Sequence, residues 1–208
     1  MHPYSVDSKV RGSIKYFFII LSALIFFLLE VTGIIEKLIN IEDTSQVIAE
    51  LSRFSLLSIA ITPIVIYKFL FCLFDKWIWK FPLISKLTGI PNLNGSYKGI
   101  LNSSFDEDKD IIMELHISQT FTGICFVSTF GDSNSNSSLA RIRRDDDFLT
   151  ELDFIYENQS NNFKVESGHH TGVNQLNFHK KDKTLEGRYF NDRGVQPNKG
   201  RIKLQRID

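Results

Sequence analysis

Tyr97, Tyr156 and Tyr189 stand in segments where apolar and polar residues alternate, and Arg143, Arg193 and Arg201 stand near the ends of such segments. A phenol ring offers a flat face that stacks on a nucleobase, worth about 1–3 kcal/mol per base in comparable settings, and a guanidinium grips phosphate oxygens two at a time. Thr129, Ser133, Ser135 and Ser137 could add hydroxyl donors, although the serine and asparagine tract taken alone reads as a solvated turn. Alternation points Tyr97, Leu152, Phe154, Tyr156 and Tyr189 to one inner face. The ordinary fate of such rings is a core, but tyrosines at a mouth with arginines in reach also suit a base-bearing anion. On this ground the expected ligand-binding residues are Tyr97, Arg143, Tyr156, Tyr189 and Arg193.

Catalytic patterns are weak by comparison. His169 and His170 are adjacent, so in a strand they face opposite ways, and no Cys or carboxylate completes a metal set at useful spacing. The acidic run FDEDKD lacks the spacing and the closing bidentate Glu of a calcium loop. Neither a phosphate loop, a dinucleotide glycine fingerprint nor a nucleophile elbow occurs. The expectation is a non-enzyme without metal or cofactor.

The candidate residues sit in the second part of a chain whose composition changes abruptly. Residues 1–90 hold 16 charged side chains and residues 91–208 hold 32, which sets the expected domain boundary at Ile90-Pro91. Residues 91–208 carry 15 Lys and Arg against 17 Asp and Glu, so they lack the broad positive field of a DNA- or RNA-polymer binder, and any anion must be held locally. After Pro91, eight alternating segments follow, near residues 94–102, 110–118, 120–130, 137–144, 147–157, 171–179, 184–191 and 199–207, divided by turn-forming Asn, Asp, Gly and Ser. Eight antiparallel strands in series predict a small up-and-down β-barrel, with a β-sandwich as the alternative. Gly95, Gly99, Gly123, Gly172 and Gly187 would relieve crowding where strands coil.

The first ninety residues read as two transmembrane α-helices. Tyr16–Ile35 is apolar but for Glu30, and Phe54–Phe74 is apolar but for Lys68; each is long enough for a bilayer core of roughly 30 Å. Lys9, Arg11 and Lys15 precede the first run, and Lys76, Lys80 and Lys86 follow the second, which directs both termini to the cytoplasm. Cys72 and Cys125 fit that compartment as unpaired apolar fillers. Ser55, Ser58 and Thr62 recur at helical spacing, with Pro63 expected to kink the span, and Glu30 is a carboxylate in an apolar stretch. These four polar residues are the candidates for helix assembly in the membrane.

Two short-looped spans, then PNLNGSYKG, SNSNSSLARI, LDFIYEN, LEGRYFNDRG and GRIKL in that order, resemble the two-transmembrane, β-strand-rich effectors of the bacterial antiphage systems called CBASS. The resemblance covers about residues 10–206. It implies a cytosolic barrel that binds a cyclic dinucleotide made by a cognate nucleotidyltransferase. Binding would drive self-association into a homo-oligomer, clustering of the helices, disruption of the bacterial inner membrane and death of the infected cell. Two readings from other classes compete with it: a membrane-tethered lipocalin-like carrier of a hydrophobic metabolite, and a solid barrel that docks another protein.

Overall fold

The computed structural model describes residues 1–6, 10–32, 62–104, 106–130, 133–144, 149–160, 170–192 and 197–208. The chain packs into two units: Lys9–Ile78, and a larger one formed by Met1–Ser8 together with Trp79–Asp208. The expected division at Ile90-Pro91 therefore falls inside the larger unit. Trp79, Ile90 and Leu93 are fully buried there, so the connection is packed as core.

In the helical unit, α1 (Val10–Val31) has 22 residues, about 33 Å at 1.5 Å each, and is the one described helix long and apolar enough to cross a membrane. The second expected span differs. Its described portion is α2 (Pro63–Lys76), 14 residues and shorter than a bilayer core, while residues 54–61 lie outside the described residues. Pro63 does not kink a continuing helix; it opens one, at a position where its missing N–H is no loss. Phe18 of α1 packs its ring 5.9 Å from Phe71 and 5.1 Å from Phe74 of α2.

In the larger unit, a 3₁₀ turn at Ile78–Lys80 and a short helix α3 (Pro82–Thr88), stopped by Gly89 in the left-handed region, lead into the sheet. Eight strands follow: β2 (Gly95–Ser103), β3 (Asp106–Gln119), β4 (Gly123–Phe130), β5 (Ser133–Arg144), β6 (Leu149–Ser160), β7 (His170–His179), β8 (Thr184–Asn191) and β9 (Asn198–Arg206). Each pairs antiparallel with the next, and β9 returns to β2, closing a barrel. The ring contains a ninth strand that alternation did not predict. This is β1 (His2–Val6), which precedes α1 in sequence and lies between β4 and β5. The serine and asparagine tract, a turn by composition, is the first half of β5.

Glycine is required where the closed sheet is tightest. A Cβ at Gly99 would stand 2.0 Å from the Lys203 carbonyl oxygen, and one at Gly187 would stand 2.0 Å from that of Gln175. Both obstacles are backbone, which cannot swing aside. At Gly123, also expected to relieve crowding, the nearest atom is 3.5 Å away, an ordinary contact. Gly187→Ala in the full chain should therefore lower stability by roughly 1–3 kcal/mol, as overpacked sites do, and Gly123→Ala by less than about 0.5 kcal/mol. Thermal unfolding in detergent, followed by the β signal in circular dichroism, tests the difference; equal melting temperatures for the two variants would contradict it.

Candidate functional site

The inner face of the barrel changes character along its axis. At the end where the chain enters from α3, the inward residues are Tyr97, Met113, Leu115, Ile117, Ile124, Ile142, Leu152, Phe178, Leu185 and Leu204, all buried. At the opposite end, where β2–β3, β4–β5, β6–β7 and β8–β9 connect, they are Ser103, Ser128, Ser135, Ser137, Tyr156, Asn174 and Tyr189. Ser128 and Ser135 are 2% exposed, Asn174 3%, Tyr189 4% and Tyr156 6%. Burying so many hydroxyls and amides is unfavourable unless they are hydrogen-bonded.

One of these residues, Ser135, and its neighbour across the β5–β6 ladder, Asn158, each keep a buried atom without a partner among the described residues: Ser135 Oγ and Asn158 Oδ1. Two more such atoms, Trp79 Nε1 and Thr150 Oγ1, lie elsewhere, in the entry linker and at the start of β6. Asn158 Nδ2 is 3.3 Å from His170 Nε2, and the His170 ring stands edge-on to Tyr156 at 6.3 Å. Glycines make room for both tyrosines. A Cβ at Gly172 would meet the Tyr156 ring at 2.3 Å, and one at Gly200 would meet Tyr189 Cε1 at 2.5 Å.

Burial pushes the Tyr156 phenol up to about 12; a hydrogen bond with Asn191 acts in the other direction, and Tyr189 and Asp192 add to the rise. Tyr189 is raised by burial too, against a hydrogen bond with Ser103. Both rings are thus neutral donors at physiological pH. A groove of about 510 Å³ over β2, β8 and β9 is lined mostly by the exposed residues Asn102, Ser104, Arg188, Phe190, Lys199 and Arg201, with Ser103, Tyr189 and Gly200 of the inner face beside them. That volume is within the usual range for small-ligand sites, and its walls combine an aromatic ring with three cations.

The five expected ligand residues do not converge. Tyr156 and Tyr189 share the polar end. Tyr97 faces inward as expected, but at the other end: it pairs with Arg206 where Tyr189 pairs with Gly200, six residues along β9 or about 20 Å. Its hydroxyl donates to Leu93 O at 3.0 Å and its ring meets Phe178 edge-on, so it closes the core. Arg143 faces outward, 3.1 Å from Glu151 and 3.8 Å from Asp153. The cause is a bulge between Ser137 and Leu139, which reverses the alternation downstream, so that Ala140 and Ile142 point in. Arg193 lies outside the described residues. Sequence reasoning passed over Ser128, Asn158 and Asn174, and weighed His170 only as half of a metal pair, although Asn158 shares a period of two with Tyr156 and His170 with Asn174. Among the membrane candidates, Glu30 is exposed in the last turn of α1. Thr62 is a helix cap, its hydroxyl accepting from Val65 N at 3.3 Å. Ser55 and Ser58 lie outside the described residues.

Residues 88–206, more than half of the 208-residue chain, match the family described as Cap15, cyclic dinucleotide receptor domain. The chain belongs to that family. It is also 29% identical over 143 residues to CD-NTase-associated protein 15 of Yersinia aleksiciae, covering 69% of this chain and 68% of that protein. Cap15 membership agrees with the resemblance to CBASS effectors drawn from the motifs. The matched segment contains every strand from β2 to β9, and so the whole polar end of the barrel.

Tyr97, raised by burial to about 12 despite the opposing charge of Arg206, and Tyr156 provide a pH test. Both folded values lie above the unfolded value of 10.0, so the stability they supply is whole below pH 10 and is lost as pH climbs through 12. Ultraviolet titration should show the exposed tyrosines ionising first, and Tyr97 and Tyr156 ionising only together with unfolding. Complete phenolate formation at pH 10.5 to 11 in a still-folded chain would contradict the burial assignment.

Proposed function

We propose that this chain is a membrane-anchored receptor that senses a cyclic dinucleotide and acts as the effector of an antiphage CBASS system. The ligand enters the polar end of the barrel. Tyr156 and Tyr189 present rings for base stacking, while Ser103, Ser135 and Asn158 offer hydrogen bonds to base edges or phosphate oxygens. Arg188, Lys199 and Arg201 face outward beside that end and supply positive charge at its outer rim, and Arg193 is proposed to add to it from the β8–β9 connection. Arg143 is left out, because it already faces Glu151 and Asp153. The observation that carries the reading is the pair of buried polar atoms at Ser135 and Asn158 that have no partner among the described residues, inside the segment matched to the Cap15 receptor family. An apolar carrier would have no use for them.

The chain is read as a non-enzyme. Its output is mechanical: ligand binding favours a self-associated state, and by linkage it can do so only through higher affinity for that state. α1 and a second span through residues 54–74 anchor the barrel in the inner membrane with both termini cytoplasmic. Clustering then brings Glu30 and the Ser55, Ser58 side of several copies together, where polar groups disturb the lipid.

The first test is titration of the full chain in detergent with a panel of cyclic dinucleotides, using Ser135→Ala and Arg193→Ala beside the unaltered protein. Ser135→Ala removes no hydrogen bond made among the described residues, so its stability should change by less than about 0.5 kcal/mol, while affinity falls about tenfold or more if that hydroxyl serves a phosphate. Unchanged affinity in both variants would remove the polar end as the binding site. The second test concerns the membrane. Glu30→Gln and Ser58→Leu should reduce ligand-dependent dye release from vesicles by roughly tenfold, the scale of one buried polar contact, while leaving ligand affinity unaltered. Full release by both variants would exclude these residues from the assembly.

A further inference from the structure

The matched receptor segment begins at residue 88, yet the barrel is completed by residues 2–6. β4 and β5 pair only from Val127↔Asn136 to Phe130↔Ser133 and then part. β1 fills the opening. His2 and Pro3 run antiparallel beside Ile124 and Gly123, and Tyr4, Ser5 and Val6 run parallel beside Ala140, Arg141 and Ile142. The bulge in β5 lies at this fork, at Ser137–Leu139.

Ser137 stands where the fork and the polar end of the lumen meet. Its Oγ accepts from Phe126 N at 2.9 Å, taking the place of a ladder bond lost where the strands diverge, and lies 2.7 Å from His2 Nε2. His2 Nδ1 lies 3.0 Å from the Pro3 carbonyl oxygen, which can only accept, so Nδ1 carries the ring proton and Nε2 is the acceptor. Ser137 therefore gives its one proton to His2. A phosphate oxygen or base acceptor that took this proton would have to release His2.

The middle of β1 is held separately. Tyr4 Oη donates toward Phe121 O at 3.2 Å and Thr120 O at 3.3 Å, and accepts from Gln119 Nε2 at 3.1 Å. Gln119 Oε1 in turn accepts from Leu93 N at 2.9 Å. One buried side chain thus joins the strand that leads out to α1 with the linker that leads in from α2. Three residues separate Val6 from Val10 at the start of α1.

We propose that β1 is the moving part of the receptor: a five-residue strand seated in the β4–β5 fork, whose grip is loosened when a ligand takes the Ser137 proton from His2, and whose release reaches α1 through three residues. This rests on the reading of the lumen as a nucleotide site. A short strand with five register pairs is a suitable switch, because few contacts have to be exchanged for a ligand to shift its docking. His2 is a positioning residue that acts through Ser137.

The test is hydrogen exchange of the full chain in detergent, with and without saturating amounts of whichever of cyclic di-GMP, cyclic di-AMP, cyclic GMP–AMP or the pyrimidine-containing cyclic dinucleotides binds. Ligand should speed exchange at the Tyr4, Ser5 and Val6 amides by roughly tenfold, the signature of local opening, while β6 and β7 become slower. His2→Ala should tighten binding roughly fivefold by removing the competitor for the proton, and His2→Gln, which restores an acceptor, should reverse most of that gain. A strand with a merely supporting role gives the opposite sign, weaker binding in His2→Ala. Ligand binding with unchanged or slower exchange in β1 overturns the inference alone; failure of the unaltered chain to bind any of these compounds overturns the receptor reading and the inference with it.

Discussion

Closure between β9 and β2 is the constraint on which the rest of the molecule depends. Without that ladder, running from Tyr97↔Arg206 to Ser103↔Gly200, β2 and β9 would be open edges and the seven buried polar side chains of the far end would face water. Closing a strongly coiled sheet brings adjacent backbones very near each other at a few points. At Gly99, Gly187 and Gly200, a single added carbon would fall within 2.0 Å of a neighbouring carbonyl oxygen. The absence of three methyl groups therefore permits the enclosed space, and the enclosed space holds serines and tyrosines away from bulk water. Enclosure also strengthens each polar contact made there, since competing solvent is excluded.

The two ends of the barrel divide the work between them. At the entry end, apolar side chains, the Tyr97 hydroxyl bound to Leu93 O, and the buried Trp79 hold the connecting segment as part of the core. At the other end, Ser135 Oγ and Asn158 Oδ1 have no partner among the described residues, which is poor for stability. Sequence alternation is the same in both halves; only the chemistry of the inward residue differs.

Much of this was legible from alternation alone. All eight strands after Pro91 lie within a few residues of their expected positions, and Gly99, Gly172 and Gly187 have the crowding role that their placement suggested. What failed, failed for identifiable reasons. A single extra residue near Ser138 reverses the facing of everything after it in β5, which moves Arg143 from the lumen to the outer wall, and no local composition announces it. Tyr97 has the right face but the wrong end, because face is local whereas axial position depends on the register of β2 against β9. β1 was invisible since HPYSV is short, contains proline and precedes an apolar helix that dominates any reading of its surroundings.

The place of β1 in the chain has a consequence for biogenesis. Its neighbours Ile124 and Ala140 to Ile142 follow more than 120 residues later in the chain, with α1 and α2 in between. At 5–20 residues per second, the amino terminus waits on the order of ten seconds or more for the groove it will occupy. Pairing over so long a loop is among the slowest contacts a small domain can make. The fork that holds β1 is therefore made of residues that emerge long after the strand that fills it.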